Sequence, residues 1–335
     1  MKVAGLGSPI IDLLFRVDDA QLSANVAGEK GGMNKIDDAE RRRLLAAMEQ
    51  IGAPPAYAIG GSAFNTVAAL ARLGMPTRFI GKIGADAEGE LFRERYLQIG
   101  GDVSSLKTTR ESPTANVLCF VTPDSQRTMR SHLGASLLLR PEELDARDLR
   151  GVEIVHIEGY QFFVDGIVRR IAELAKAGGI KVSLDLASFE VVRRFRREIE
   201  ALLPFLDIIF ANEDEAREFL AIPPDSPLDP EPAVRKIAGR TMTAVVKSGA
   251  GGAWICHRGQ CVHVDALPTL VADTTGAGDF WQAGFIYGIL RGCSAEVSGK
   301  MGALLAARVV AVLGAELPEN TWQELRTAVH RLEHN

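Results

Sequence analysis

The stretch DTTGAGDFWQAG, residues 273–284, combines hydroxyl residues, glycines and a carboxylate in a spacing that suits phosphate chemistry. An apolar, helix-compatible run follows it, so Gly276 and Gly278 are expected in the loop before a helix N-terminus. A helix N-terminus offers unpaired N–H groups and a partial positive charge, and glycines let a ligand approach that backbone closely. Together these features predict an anion site for a phosphate group.

Asp279 follows the second glycine directly. Because a carboxylate repels phosphate, this residue is not expected to bind the anion; it could instead accept the proton of a hydroxyl group that attacks phosphorus. The alternative is a helix N-cap, which is a position that Asp favours. The spacing alone does not decide between the two. The usual nucleotide fingerprints are missing, because GxxxxGK[ST] does not occur and the three GxG segments lack the third glycine of GxGxxG.

The composition limits the class of protein. The chain has 335 residues, 47% of them hydrophobic and 24% charged, with a net charge of −5. These values are ordinary for a globular protein. Basic residues are dispersed and no apolar stretch could span a bilayer, so neither a nucleic-acid partner nor a membrane is expected. The N-terminus lacks a signal-peptide cleavage site and four cysteines do not make a disulfide framework, so we expect a cytoplasmic protein.

Short β-rich apolar runs alternate with longer helical patterns along the chain. This alternation predicts a mostly parallel sheet covered by helices on both faces, with ligands bound at the carboxyl ends of the strands. We predict one domain over residues 1–335. The predicted strands are Val3–Gly7, Arg78–Ile83, Glu153–Ile157, Lys181–Leu184, Ile208–Ala211 and Ala244–Lys247. The predicted helices are Ala63–Leu73, Glu88–Ile99, Gly166–Ala177, Glu190–Leu203, Glu213–Leu220 and Pro232–Ala238.

Two regions, approximately 12–35 and 102–133, break this rhythm. In the second, Asp102–Lys107, Thr114–Thr122 and Arg127–His132 read as short strands, with a turn at 123–125. We expect the two regions to form a small antiparallel sheet inserted into the α/β body. Such an insertion often serves as a lid, and the alternative is an edge sheet without that role.

The segment WICHRGQCVHV contains Cys256, His257, Cys261 and His263. A zinc site is one interpretation, but the ligand spacing fits none of the usual zinc patterns. The two alternating runs WICH and CVHV flank a short turn, which is typical of a β-hairpin, and we favour the hairpin.

Five segments resemble the signatures of the ribokinase-like (PfkB) family of carbohydrate and nucleoside kinases. They follow one another in the family's order: GGSAFNTVAALARLG (60–74), GKIGADAEGELF (81–92), the N-x-x-E motif in ANEDEA (211–216), VVKSGAGGA (245–253) and DTTGAGD (273–279). The matches span nearly the whole chain. The resemblance implies a ribokinase-like three-layer α/β/α core with a small antiparallel β lid, and a kinase that uses ATP and Mg²⁺.

The resemblance also implies roles at the phosphate end. Asp279 would be the catalytic base, and the backbone amides of Gly276, Ala277 and Gly278 would form an anion hole for the transferring phosphoryl group. Asn212 and Glu215 would organise Mg²⁺ through water, although ANEDEA could equally cap the first turn of a helix. The residues implied in ATP binding are Lys247, Ser248, Gly249 and Gly252. Family members often depend on a monovalent cation such as K⁺, which the backbone around Asp273 and Thr275 would hold.

At the substrate end, the resemblance implies that Asp12 accepts hydrogen bonds from sugar hydroxyls, which suits a carboxylate reading a diol. The other implied substrate contacts are Gly60, Gly61, Asn65, Gln161 and Phe162. GLGSPIIDLL (5–14), IEGYQFFVDG (157–166), RTMRSHLGAS (127–136) and GALLAARVVAVLGAE (302–316) are similar to the adenosine-kinase branch, so a nucleoside is the expected substrate.

Three alternatives to a nucleoside kinase remain from the sequence. One is a sugar kinase of ribokinase or fructokinase type, with the same mechanism. Another is a non-catalytic nucleotide or sugar sensor, which the intact GAGD loop argues against. The third, an NAD-dependent dehydrogenase, is disfavoured by the incomplete fingerprint. The resemblance leaves a homodimer through the lid sheet open.

Overall fold

The computed structural model describes residues 2–124, 126–223 and 225–334. Most strands fall within a residue or two of their predicted limits. The strands are β1 (Lys2–Leu6), β2 (Ile10–Arg16), β3 (Met33–Lys35), β4 (Ala56–Gly60), β5 (Thr77–Gly84), β6 (Gly101–Asp102), β7 (Leu106–Thr109), β8 (Ala115–Val121), β9 (Arg127–His132), β10 (Val152–Glu158), β11 (Lys181–Asp185), β12 (Ile208–Asn212), β13 (Thr243–Lys247), β14 (Ala253–His257) and β15 (Gln260–Val264).

The helices follow the predicted alternation with the strands, and each of the six predicted helices is present. They are α1 (Asp19–Asn25), α2 (Asp38–Gln50), α3 (Ser62–Arg72), α4 (Ala87–Gln98), α5 (Ile167–Ala177), α6 (Phe189–Leu202), α7 (Glu213–Phe219), α8 (Pro230–Ala238), α9 (Ala277–Leu290), α10 (Ala295–Val309) and α11 (Glu319–His334).

A large sheet forms the centre of the chain. Its strands run in the order β15-β14-β13-β12-β11-β10-β1-β5-β6, and β7 also pairs with β5. The pairs from β13 to β6 are parallel, and among the described strands only the β13-β14-β15 edge is antiparallel. Two apolar clusters cover its faces: one involves α3, α4, α9, α10 and α11, the other α5, α6, α7 and α8. The predicted three-layer α/β/α architecture with a mostly parallel sheet is confirmed.

The predicted small second sheet is also present, with five strands in the order β3-β9-β8-β2-β4. It is mixed: β2–β4 and β8–β9 are antiparallel, whereas β2–β8 and β3–β9 are parallel. Along β2 the burial alternates, because Ile11, Leu13 and Phe15 pack into the core while Asp12 lies on the other face.

The limits of the second sheet differ from those predicted. Asp102–Lys107 was expected as a strand in it, but β6 and β7, which cover this part of the chain, pair with β5 of the large sheet. Conversely, β4 was not expected in it and pairs with β2. Short polar strands carry little information about their partners, since pairing is decided by tertiary packing. Ser125, in the turn predicted at 123–125, lies outside the described residues.

The hairpin predicted at WICHRGQCVHV is confirmed, with β14 and β15 paired antiparallel. Cys256 and Cys261 face each other across it and are joined as a disulfide. The sequence predicted no disulfide framework and did not anticipate this single bond within one hairpin. Cys119 and Cys293 are free. Among the described helices, none is long and apolar enough to cross a membrane.

Candidate active site

Asp279 lies in the first turn of α9, and two side chains of α3 hold its carboxylate. Oδ1 accepts a hydrogen bond from Ser62 Oγ at 2.7 Å, and Oδ2 accepts one from Asn65 Nδ2 at 2.8 Å. Burial raises the pKa of Asp279 to about 7, although these hydrogen bonds and the charge of Lys247 act in the opposite direction. A carboxyl group with a pKa near neutrality suits proton transfer at ordinary pH.

The backbone before Asp279 starts the helix. Gly276, and not Asp279, occupies the N-cap position, so the alternative role of Asp279 as a cap is not what the structure shows. Gly276 has a φ of 76°, and a Cβ there would lie 3.1 Å from the Cβ of Ala315, so a side chain is disfavoured twice. Of the three amides expected in an anion hole, that of Ala277 already donates to the Thr274 carbonyl oxygen at 3.1 Å.

Lys247 stands beside this helix N-terminus. A Cβ on Gly278 would lie 3.0 Å from Lys247 Nζ, so the ammonium group faces the glycine directly. Lys247 Nζ is also 3.6 Å from Asp185 Oδ1, and both side chains are largely buried. A buried ammonium next to free helix N–H groups strengthens the positive potential that a phosphate would meet.

The turn after β13 contains the other residues expected to bind ATP. Ser248 N–H donates to the Gly252 carbonyl oxygen at 2.8 Å, and Gly249 begins the short 3₁₀ turn between them. This turn lies at the carboxyl end of β13, the edge of a parallel sheet at which ligands bind. The structure therefore brings the predicted nucleotide residues to the same edge as the first turn of α9.

Asn212 and Glu215 meet each other at the start of α7. Asn212 Oδ1 accepts from the Glu215 N–H at 2.8 Å, while the Glu215 carboxylate accepts from Asn212 N and Nδ2 at 2.8 and 2.7 Å. This is the capping box that the sequence left as the alternative to a Mg²⁺ site. Burial, followed by the negative charge of Asp185, raises the pKa of Glu215.

The same corner fits a divalent cation. Asp185 ends β11, and its Oδ1 is buried without a hydrogen-bond partner within the described parts of the chain. With Glu215 and Asn212 it offers the carboxylate and amide oxygens that Mg²⁺ prefers. A cation held there would offset the cost of two carboxyl groups sharing one buried corner.

We use cleft for the region between Asp279 and Asp12; at its second end, Asp12 projects from β2 towards β4. A Cβ on Gly60 would lie 2.9 Å from Asp12 Oδ2, so any side chain at position 60 would crowd that carboxylate. Burial raises the pKa of Asp12 to about 6, against the nearby positive charge of Arg127. Gly61 follows with a φ of 115°, and a Cβ there would lie 2.2 Å from the Ser8 carbonyl oxygen, so the close turn into α3 requires glycine.

Gln161 and Phe162 are adjacent but face different surroundings. Gln161 is buried, and its Nε2 donates to Ser8 Oγ at 3.0 Å and to Glu158 Oε1 at 3.1 Å. Phe162 instead stacks on Phe195 of α6, with ring centroids 5.9 Å apart. The structure thus places Gln161 next to the β1–β2 connection, whereas Phe162 packs between the helices on one face of the large sheet.

Arg127 connects the second sheet to the loop before α9. Its Nη1 lies 2.8 Å from Asp273 Oδ2, which also accepts the Gly314 N–H at 2.8 Å. Asp273 Oδ1 accepts from the N–H and hydroxyl of Thr275 at 3.0 and 2.8 Å. Asp273 therefore organises the loop and ties it to the second sheet. Binding of K⁺ at this loop stays a prediction.

The chain matches the description "pfkB family carbohydrate kinase" over residues 36–322, which include every residue described above from Gly60 to Ala315. It belongs to the pfkB family. The family places the chain among phosphotransferases with an alcohol group as acceptor, which in general use ATP and Mg²⁺. Its substrates are small molecules of the sugar or nucleoside class.

Several known proteins are similar to this pfkB chain over most of its length. A "probable sugar kinase protein" from Rhizobium etli CFN 42 superposes with a TM-score of 0.83, 31% identity and coverage of 98% of both chains. An adenosine kinase from Sinorhizobium meliloti gives a TM-score of 0.81, again with 31% identity and 98% coverage of both chains. A ribokinase from Arabidopsis thaliana is 29% identical over 292 residues, which are 85% of this chain and 76% of the ribokinase.

Three acidic or basic residues of this pfkB site were missed in the sequence. Glu158 and Asp185 are the last residues of β10 and β11, and Arg127 begins β9. Glu158 is fully buried and accepts hydrogen bonds from the N–H groups of Ser8 and Ala63 at 2.8 and 2.9 Å. It therefore ties the β1–β2 connection to the start of α3. The rule that ligands bind at the carboxyl ends of parallel strands was a signal for both acids, since each terminates such a strand.

Proposed function

We propose that this kinase transfers the γ-phosphate of ATP to a primary hydroxyl group of a nucleoside, with Asp279 as the general base. The observation that carries the proposal is the buried Asp279 carboxylate, hydrogen-bonded by Ser62 and Asn65 at the glycine-rich N-terminus of α9. Its pKa of about 7 leaves it ionised in part at neutral pH and basic enough to accept a proton.

The chemical step is an in-line displacement. The acceptor oxygen forms a bond to the γ-phosphorus as its proton passes to an Asp279 oxygen, and the bond between the γ-phosphorus and the bridging oxygen breaks to release ADP. The free N–H groups near Gly278 and the Lys247 ammonium stabilise the charge on the transferring group. Mg²⁺, when held by Asp185 and Glu215 with Asn212, supplies charge neutralisation on the phosphates.

The second sheet acts as a lid in this proposal. Two contacts support a closing role: the Arg127–Asp273 ion pair described above, and Lys35 Nζ of β3, which lies 4.5 Å from the centroid of the Phe163 ring. Both join the second sheet to segments that border the cleft. A lid that closes over the bound acceptor would exclude water, which otherwise competes for the γ-phosphate.

A nucleoside of the adenosine type is the first candidate for the acceptor. The adenosine kinase from Sinorhizobium meliloti, similar over 98% of both chains, supports it. Asp12 beside Gly60 suits a ribose diol, because one carboxylate can accept hydrogen bonds from two neighbouring hydroxyls. A free sugar such as ribose or fructose is the second candidate, supported by the ribokinase from Arabidopsis thaliana and by the fact that Phe162 packs away from Asp12 and so offers no stacking surface for a base there.

The test is ADP release from Mg·ATP by the purified chain, with adenosine, other nucleosides, ribose and fructose offered in parallel. We expect turnover with an adenosine-like nucleoside and none with 5′-deoxyadenosine, which keeps the base and the diol but lacks the primary hydroxyl. Turnover confined to ribose or fructose would replace the nucleoside with the second candidate. Turnover with 5′-deoxyadenosine would contradict the assignment of the accepting hydroxyl.

A further inference from the structure

The last turn of α11 places two histidines and a glutamate on one side of the helix, remote from the cleft. His330 and His334 are four residues apart with Glu333 between them, and one possible ligand atom from each lies within 4.8 Å of the others. The two imidazole rings have centroids 4.2 Å apart. Residues three and four positions apart are neighbours on a helix surface, so Glu333 and His334 both lie beside His330.

Glu333 is held in position by the neighbouring helix. Its Oε1 accepts a hydrogen bond from Arg291 Nε at 2.8 Å, at the end of α9. Its other oxygen, Oε2, is buried and has no hydrogen-bond partner in the described ranges of the chain. A buried carboxylate oxygen without a partner costs free energy, so this atom is available to a ligand that carries positive charge.

The histidines have the arrangement that a metal ligand needs. His334 Nδ1 lies 2.8 Å from the His330 carbonyl oxygen, so the proton belongs on Nδ1 and the lone pair on Nε2. A backbone carbonyl in this role is the usual outer partner of a metal-binding imidazole. The site is also at the C-terminus of a helix, where the helix dipole favours a cation.

We propose that His330, Glu333 and His334 bind a divalent transition-metal ion. Two imidazole nitrogens and one carboxylate oxygen are a donor set that suits Zn²⁺, with a fourth position left for water. Mg²⁺ and Ca²⁺ prefer oxygen ligands and are not expected to compete for it. The site is separate from the proposed kinase chemistry and does not depend on it.

The position of the proposed metal site indicates an effect on stability. Trp322 of α11 stacks on Phe280 at the start of α9, with ring centroids 5.7 Å apart, while Glu333 pairs with Arg291 just beyond the end of α9. The two helices therefore run in the same direction and meet through these side chains. Asp279 is at the opposite end of α9, about 18 Å away along the axis. We expect the metal to stabilise the pairing of α11 with α9, with little effect on turnover.

The proposal can be tested by titrating the full chain with ZnCl₂ in a calorimeter, in buffer without nucleotide or magnesium. The variants are His330→Gln and His334→Gln, and the control is His263→Gln, which removes a histidine from the β14–β15 hairpin. We expect the unmodified chain to bind zinc at a single site with a Kd in the micromolar range. The Kd should rise roughly tenfold or more in each α11 variant and stay unchanged in the control. Zinc should raise Tm by on the order of a few degrees in the unmodified chain and in the control only.

Three results would overturn the proposal. One is the absence of saturable binding below millimolar zinc. A second is zinc binding in both α11 variants that is as tight as in the unmodified chain. A third is zinc binding that His263→Gln removes, which would move the site to the hairpin. His330 and His334 are exposed, so the variants should fold; equal Tm values without zinc check this. Because binding is measured without ATP, a failure of the kinase proposal cannot be mistaken for a failure here.

Discussion

The phosphate end and the acceptor end of the cleft are built in different ways. At the phosphate end, Asp279 lies in the first turn of α9, and Asp185 and Lys247 are the last residues of the parallel strands β11 and β13. At the acceptor end, Asp12 comes from the second sheet and Gln161 from a short 3₁₀ turn after β10. Backbone geometry therefore fixes the phosphate end, which should tolerate little change. The acceptor end joins separate segments, so its specificity can vary while the chemistry stays constant.

The largest expected effect comes from Asp279→Asn at the phosphate end. The substitution keeps the size of the side chain but removes the proton acceptor, so we expect kcat to fall by about 10³-fold. Nucleotide binding should be retained, because the helix N-terminus and Lys247 are unchanged. The unmodified enzyme should show kcat/KM rising with pH to a plateau above about pH 7, which matches the raised pKa of Asp279. An equal pH dependence in the residual activity of the variant would show that another group titrates.

Gly276→Ala tests whether backbone geometry fixes the phosphate end. Alanine at φ 76° is strained, and its Cβ would lie 3.1 Å from that of Ala315, so the first turn of α9 must shift. Displacing the amide donors should lower kcat by about 10²-fold. Gly292→Ala is the matched control, since its φ of 81° imposes similar strain at the other end of α9 with no atom within 4 Å of the added Cβ. A similar loss of kcat in both variants would attribute the effect to stability rather than to the anion site.

The features that could be predicted from the sequence are those that depend on residues close together in the chain. Strand and helix positions followed from apolar periodicity, and the role proposed for Asp279 followed from glycines one and three residues before it, because both signals are local. What stayed hidden depends on residues distant in the chain. The sequence did not indicate that the Asn65 amide donates to the Asp279 carboxylate or that Phe162 packs on α6. The substrate contacts expected of these two residues stay predictions. No local pattern reports which side chain a residue will meet across the fold.

Asp12→Asn probes the acceptor end and should have a smaller effect than either change above. Losing a charge-assisted hydrogen bond to the acceptor hydroxyls should lower kcat/KM for the acceptor by about 10- to 100-fold. KM for ATP should not change, because the substitution leaves the ends of β11, β12 and β13 intact. Asp19→Asn, an exposed position on α1, is the control and should leave both constants unaltered. A raised KM for ATP would mean that the two ends are coupled more tightly than their separate construction implies.

The smallest expected effect is on the pH dependence of stability, which should differ between variants at the two ends. Burial raises the pKa of Asp279 to about 7 and that of Asp12 to about 6, whereas both are near 4 when the chain is unfolded. Between the unfolded and folded pKa values the native protein binds more protons, so each group makes stability fall as pH rises through that window. From pH 5 to pH 8 the Asp279 window extends about two units and the Asp12 window about one. Asp279→Asn should therefore narrow the difference in Tm between pH 5 and pH 8 by a few degrees, and Asp12→Asn by less. Calorimetric melts of the unmodified protein and the two variants at both pH values provide the measurement. If Asp12→Asn changed the Tm difference between pH 5 and pH 8 as much as Asp279→Asn does, or more, burial would raise the pKa of Asp12 at least as strongly as that of Asp279.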